Sequence, residues 1–334
     1  PRVSAERQRT VEGGRIQRLS VSQVAQFDPA AGGCPRKWWF QRVARREEPP
    51  SRFQELGTAL HAEVERYQKT GDAGVLGPVT RAAAPLLPSP RHPLVFSEVP
   101  FGGAALSSRG VPFSGRIDLV DFREPGAAAV DDVKSTSDVA RWAKAGEAVA
   151  RPPQMVGYAE AVRRVSADAA ARASLLALLL ESERVAAAGL RGGGFRDVER
   201  AAAERERALG EALLTPLKTV RVGHLYVQTR GAALAERRSA TLSVTEIEDR
   251  WGAVGDVVER MKAAAAATAQ AGVEPNLDAC GLWGGCPHAV VCERPAAAVL
   301  LKASGRAPGR PRAAPQARDA EAGDTGARLL EGAG

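Results

Sequence analysis

Two periodicities alternate along the chain. Residues 19–27 (LSVSQVAQF) set Val21, Val24, Ala25 and Phe27 at helical spacing behind Ser20 or Ser22 as N-cap. After Pro49-Pro50, Phe53 to Gln68 repeats Leu56, Leu60, Val64 and Tyr67 at i, i+4, i+8 and i+11, with His61 beside the stripe. A Gly-, Pro- and Ala-rich connection at 71–93 follows, and then the period falls to two. Leu94 to Phe101, Phe113 to Phe122 and Ala128 to Lys134 read as strands of an antiparallel meander. Helical spacing returns from Gln154 through Ala159, and Ala169 to Ala188 is rich in Ala and Leu. A further helical stretch beyond Gly192-Gly193-Gly194 ends near Leu214. Val220 to Thr229 alternates again and returns to the sheet. Ser243 to Ala267 is a long helix opened by the capping box Ser243-x-x-Glu246 or Thr245-x-x-Glu248.

Composition adds a partner class. Of 334 residues 44% are hydrophobic and 25% charged, which suits one or two folded domains. The longest strongly apolar run, Leu175 to Leu180, is six residues, against roughly 20 for a membrane span, and the start is polar, so a soluble, cytoplasmic protein is expected. No P-loop motif marks an ATP motor. Lys and Arg number 46 against 39 Asp and Glu, a net charge of +7 that favours an acidic polymer. Residues 1–50 hold ten basic and five acidic residues, and Trp38, Trp39 and Phe40 adjoin Lys37. Such a cluster either grips single strands by phosphate contacts and base stacking or is the core face of a helix. Residues 1–18 are expected to be a flexible N-terminus and 296–334 a disordered basic tail.

The four cysteines, Cys34, Cys280, Cys286 and Cys292, suit a four-thiolate site, zinc or iron-sulfur, better than disulfides in an intracellular chain. On the third strand, alternation puts Asp132 and Lys134 on one face and Asp131 and Val133 on the other. Asp118, between Ile117 and Leu119 on the second strand, is placed to meet Asp132 across the hairpin. Paired carboxylates suit Mg²⁺ or Mn²⁺, and a neighbouring ammonium can neutralise charge on a phosphorane; a solvated hairpin carries the same residues without chemistry.

The order of these features resembles the PD-(D/E)xK nucleases of the RecB type, in the iron-sulfur branch with the AddB nuclease domain and CRISPR-associated iron-sulfur exonucleases. The matching elements are Leu19-Ser20-Val21-Ser22, Cys34-Pro35-Arg36-Lys37-Trp38-Trp39-Phe40, Gly57-Thr58-Ala59-Leu60-His61, Gly115-Arg116-Ile117-Asp118, Val130-Asp131-Asp132-Val133-Lys134, Gln154-x-x-x-Tyr158 and the cysteine trio. The resemblance implies an α/β restriction-endonuclease-like core over 19–295. In it a central mixed sheet is flanked by helices, with a helical insertion at about 160–215 and a cysteine loop at 280–292. It implies His61, Asp118, Asp132 and Glu98 as metal ligands for Mg²⁺ or Mn²⁺. Lys134 would be the catalytic lysine, and Gln154 and Tyr158 would position DNA or catalytic groups, Tyr158 being equally readable as a core aromatic. Cys34, Cys280, Cys286 and Cys292 would hold a [4Fe-4S] cluster, with Zn²⁺ as the alternative, joining the N- and C-terminal segments. The implied activity is a DNA nuclease, an exonuclease on single-stranded or frayed ends, in repair, recombination or processing, with a separate helicase or recombination protein as partner. The rival readings are a non-catalytic DNA-binding or assembly protein and a zinc-bound structural protein. His92, His224 and His288 are read as structural.

Overall fold

In the computed structural model, residues 10–46, 48, 52–173, 177, 194–289 and 291–292 are described. Five strands form one mixed sheet in the order β3-β4-β5-β6-β7: Val95–Ser108, Val111–Asp121, Ala127–Thr136, Thr219–Gln228 and Ala235–Ser243. The first three are the antiparallel meander that the short turns require, and β6 enters parallel to β5 over a full ten-residue register, Ala127 to Thr136 against Thr219 to Gln228. A parallel neighbour needs a crossover, here a helical one. The crossover contains α4 (Val139–Trp142), α5 (Glu147–Ala150), α6 (Pro153–Ala167) and α7 (Gly194–Ala212). Of the helix expected at 169–188, residues 169–173 and 177 are helical, and the others lie outside the described residues. A two-stranded ribbon, β1 (Val11–Glu12) and β2 (Arg15–Ile16), precedes the sheet, so part of the expected flexible N-terminus is paired. The expected tail at 296–334 lies outside the described residues.

The sheet separates two cores. On one side α1 (Val21–Phe27), α2 (Pro35–Arg42), α6 and α8 (Val244–Ala266) bury Val24, Trp38, Met155, Trp251 and Val258 against Val130, Val220 and Val222. On the other, Val64 of α3 (Arg52–Thr70) joins Ala83, Leu87, Leu119, Val133, Leu225 and Val227. The segment at 71–93, expected as plain connection, thus contains a 3-10 turn over Thr80–Leu86 that helps to cover this face. Caps fix the helix starts: Ser20 and Ser243 each form a complete capping box, with Gln23 and Glu246, interactions worth ~1 kcal/mol each. β7 is an unexpected strand. Its sequence AERRSATLS has little apolar alternation, as suits an edge strand carrying charge.

Candidate active site

The site begins where a backbone ladder ends. β4 and β5 pair over Leu119 with Asp131, Val120 with Val130 and Asp121 with Ala129, and their ladder goes no further toward Val133. Side chains take the place of the next rung. The Val133 N–H donates to Asp118 Oδ2 at 2.7 Å, and the Val133 carbonyl oxygen lies 2.9 Å from His61 Nε2. A carbonyl can only accept, so Nε2 carries the proton and the neutral imidazole turns its Nδ1 lone pair the other way. That lone pair meets carboxylates. Nδ1 is 3.4 Å from Asp118 Oδ1 and 4.0 Å from Glu98 Oε1.

Glu98 reaches this point through a distorted backbone. It lies mid-strand in β3, between Ser97 paired with Leu119 and Val99 paired with Ile117, yet its φ is +53°. A non-glycine residue in the left-handed region within a strand costs of order 1–3 kcal/mol, and such strain concentrates at functional sites. One ligand atom each from His61, Glu98 and Asp118 fall within 4.8 Å of one another, the one such group found among the described residues. Burial opposes protonation of His61, but the hydrogen bond and charge of Asp118, with Asp132 and Glu98 behind, outweigh it and raise its pKa. Burial and then Asp118 push the Glu98 carboxyl up, against the pull of Arg116. Two carboxylates and an imidazole lone pair thus converge on a point that favours a cation, and this donor set fits Mg²⁺ or Mn²⁺.

Asp132 sits beside this group in a second network. Its Oδ1 accepts from Gln154 Nε2 at 2.9 Å, and Lys134 Nζ lies 2.6 Å from Oδ2. Lys134 Nζ also donates to Gln154 Oε1 at 3.3 Å, while Gln154 Nε2 lies 2.8 Å from Tyr158 Oη. Asp132 is 2% exposed, and Oδ2 has no well-directed hydrogen bond despite the ammonium beside it. Burial raises its pKa, offset in part by Lys134. Lys134 is held protonated by Asp132 in spite of its own burial. Tyr158 packs edge-on against Phe101, and its hydroxyl is kept un-ionised by burial and the charge of Asp132. It is both a core aromatic and a member of the polar network.

Two residues read as structural or passed over in the sequence adjoin this network. His224 pairs in register with Asp132, and Tyr226 with Lys134. His224 Nε2 is 3.9 Å from Asp132 Oδ2, and its Nδ1 is 3.1 Å from Tyr226 Oη. Burial, then the charges of Lys134 and Lys144, lower the His224 pKa to about 3, so the ring is neutral. The signal was available, because GHLYV on a strand parallel to β5 puts both side chains on the Asp132 face. His92 and His288 remain structural: His92 Nδ1 accepts from Leu94 N in a turn, and His288 packs on Phe40.

None of the four cysteines is in a disulfide. Cys34 Sγ accepts from the Asn276 N–H at 3.4 Å, Cys280 Sγ lies 3.8 Å from the Asn276 carbonyl, and Arg36 Nη1 is 3.7 Å from Cys292 Sγ. Burial raises the pKa of Cys286, with contributions from Cys280 and Cys34. The C-terminal loop is therefore docked on the start of α2, where buried Arg36 also donates to the Val273 carbonyl at 2.8 Å.

Trp38, Trp39 and Phe40 are core residues, so of the two readings open to them the core face of a helix holds and the DNA-gripping surface does not. Trp38 is fully buried edge-on against Phe27, and Trp39 donates its indole N–H to the Ala267 carbonyl. A helix start wedged between α1 and α8 has no room for an exposed ring.

No curated protein matches the sequence. The family model of the PD-(D/E)XK nuclease superfamily matches residues 79–293, which takes in the sheet, the Asp132 network and the cysteine trio. With most of its length matched and a mixed sheet flanked by helices, the chain belongs to the PD-(D/E)XK nuclease superfamily.

Proposed function

We propose that the protein is a RecB-like, Mg²⁺- or Mn²⁺-dependent DNA exonuclease of the iron-sulfur branch, acting on single-stranded or frayed ends in repair, recombination or processing. The carrying observation is the convergence of His61 Nδ1, Glu98 and Asp118 while His61 Nε2 is committed to the Val133 carbonyl. His61, Glu98 and Asp118 would hold the cation, with Asp132, whose Oδ2 lacks a hydrogen bond, as a further ligand. When bound, the divalent cation supplies Lewis acidity toward the scissile phosphate and lowers the pKa of water.

The chain's own groups do the rest. Lys134, held as an ammonium by Asp132, donates to the phosphate or to the attacking water and offsets negative charge as the phosphorane forms. Gln154 locks the Asp132 carboxylate through Nε2 and accepts a hydrogen bond from the Lys134 ammonium at Oε1, fixing both rotamers. Tyr158 orients the Gln154 amide. Cys34, Cys280, Cys286 and Cys292 would hold a [4Fe-4S] cluster, zinc being the alternative, that would staple the C-terminal loop to α2. A separate helicase or recombination protein supplies strand separation.

The test is a digestion time course on end-labelled single- and double-stranded DNA. Mg²⁺- or Mn²⁺-dependent release of short products, abolished in Lys134→Ala and Asp118→Ala, is expected. Digestion unchanged by both substitutions would overturn the catalytic reading and leave a DNA-binding or assembly role. Broad absorbance near ~410 nm in anaerobically purified protein supports the iron-sulfur assignment, whereas a colourless protein with stoichiometric zinc selects the alternative.

A further inference from the structure

The segment leaving the catalytic strand carries an exposed aromatic. Residues 137–146 run from the end of β5 through α4 to the start of α5, and both ends of the segment are tied to β6. The Val139 N–H donates to Gln228 Oε1 at 3.1 Å, and the Val139 side chain is buried. Farther along, the Lys144 N–H donates to Tyr226 Oη at 3.1 Å. Asp138 caps the turn by accepting from the Arg141 N–H. Held this way, the segment presents Trp142 with half its surface in solvent (50%), the sole aromatic among the large exposed hydrophobics of the described residues. The Arg141 guanidinium lies 4.8 Å from the centroid of the Trp142 ring.

Lys144 lies close enough to the catalytic centre to feel it. Partial burial and then the charge of Lys134 lower its pKa. Tyr226, which receives the Lys144 backbone, is the register partner of Lys134. An indole face flanked by Arg141 and Lys144, anchored on the strand beside the catalytic lysine, combines the two elements of single-strand recognition: a ring for bases and cations for phosphates. A duplex offers its bases only as edges in the grooves, so a stacking ring selects unpaired nucleotides.

We infer that residues 137–146 form a platform for single-stranded DNA, on which Trp142 stacks an unpaired base while Arg141 and Lys144 contact the flanking phosphates, feeding the strand to Lys134. This deepens the nuclease reading above and rests on it for the identity of the ligand. Trp142 then does what Trp38 and Trp39, sealed in the core, cannot do.

The test is fluorescence anisotropy of a labelled oligo(dT) with full-length Lys134→Ala protein and no added metal, so that binding is read without cleavage. Adding Trp142→Ala is expected to weaken binding about tenfold with Tm unchanged, and Trp142→Phe to recover most of the loss, because stacking persists. Arg141→Ala with Lys144→Ala is expected to flatten the dependence of log K on log salt by about 1.4, roughly 0.7 for each phosphate contact. Binding of a blunt duplex is expected to change less than twofold in Trp142→Ala. Oligo(dT) affinity within twofold of the parent in Trp142→Ala, or an equal loss on single strands and duplex, would overturn the platform. The two readings fail separately: an inactive wild type that still needs Trp142 for oligo(dT) loses the nuclease reading alone, and an active one indifferent to Trp142 loses the platform alone.

Discussion

Asp131 and Asp132 are consecutive residues of one strand, both buried, and they meet opposite electrostatic fates. Asp131 faces cations in excess: Arg221 grips it with two hydrogen bonds at 3.0 and 3.2 Å, and Arg237 adds a contact at 3.3 Å. Gly223 makes room, since a Cβ there would lie 2.3 Å from Asp131 Oδ1. Asp132 faces one ammonium and, across the open end of the β4–β5 ladder, more acids: its pKa is pushed up by burial and Asp118 although Lys134 opposes both. A side chain satisfied on every oxygen holds structure; one left in a field of like charge has something still to bind. Alternation along β5 sorts the two, and the difference between the faces can be broken experimentally.

The largest effect belongs to the acid-rich face. Lys134→Ala and Asp118→Ala are each expected to lower the cleavage rate by about a hundredfold to a thousandfold, ~3–4 kcal/mol of barrier, in steady-state digestion assays. Thermal stability in the absence of metal is expected to change little for Asp118→Ala, because relief of the like charge beside Glu98 and Asp132 offsets the lost contacts to the Val133 N–H and His61. A large drop in its Tm would mean that Asp118, like Asp131, is structural.

The other face is expected to behave in reverse. Asp131→Ala strands two guanidinium groups and is expected to cost about 3 kcal/mol, the low end for a severed buried pair, because Arg221 and Arg237 keep 30% and 26% of their side-chain surface in water. Activity per folded molecule is expected to stay within about threefold. Gly223→Ala is expected to destabilise comparably by displacing the Asp131 carboxylate, and the double variant to cost clearly less than the sum, as urea denaturation reads. Strict additivity would show that Gly223 matters for another reason.

Metal addition separates the faces by a third route. Saturating Mn²⁺ at about a hundred times its dissociation constant stabilises a binding native state by ~2.7 kcal/mol. The rise in Tm is expected in wild type and in Asp131→Ala alike, and to vanish in Asp118→Ala. A rise that survives Asp118→Ala would move the cation elsewhere.

Much of this contrast was legible in the sequence, because alternation on a strand is a strong geometric rule: the Asp132, Lys134 and Asp118 face followed from position parity alone. What parity cannot show is where a ladder stops. The unpaired Val133 groups that orient Asp118 and His61, and the left-handed turn of Glu98, depend on how far β4 and β5 stay together. β7 stayed hidden because its ion pairs, Arg237 to Asp131 and Arg238 to Glu236, replace the apolar signal of a strand. Side-chain type does not distinguish a ring that packs from one that stacks on a ligand, which left two readings open for Trp38 and Trp39 and drew no notice to Trp142.

The smallest expected effect is in the pH dependence of the metal-free protein. His61 has its pKa raised in the folded state by Asp118, with Asp132 and Glu98 adding, against burial. A group so raised stabilises the fold fully below its unfolded pKa of about 6.5, and that contribution is lost as pH rises through the higher folded value. In chelator, wild type is therefore expected to lose Tm relative to His61→Gln as pH goes from 6 to 8, by roughly 1–2 °C in differential scanning fluorimetry. Divalent metal takes over the role of the proton, so the gap between the two proteins above pH 7 is expected to reverse once Mn²⁺ is added. Asp131 is held by Arg221 and Arg237 on the opposite face of β5 from His61 and Asp118, so Asp131→Ala is expected to leave the wild-type profile parallel but lower. A profile that changed shape in Asp131→Ala would couple the two faces through β5 and end the separation drawn between them.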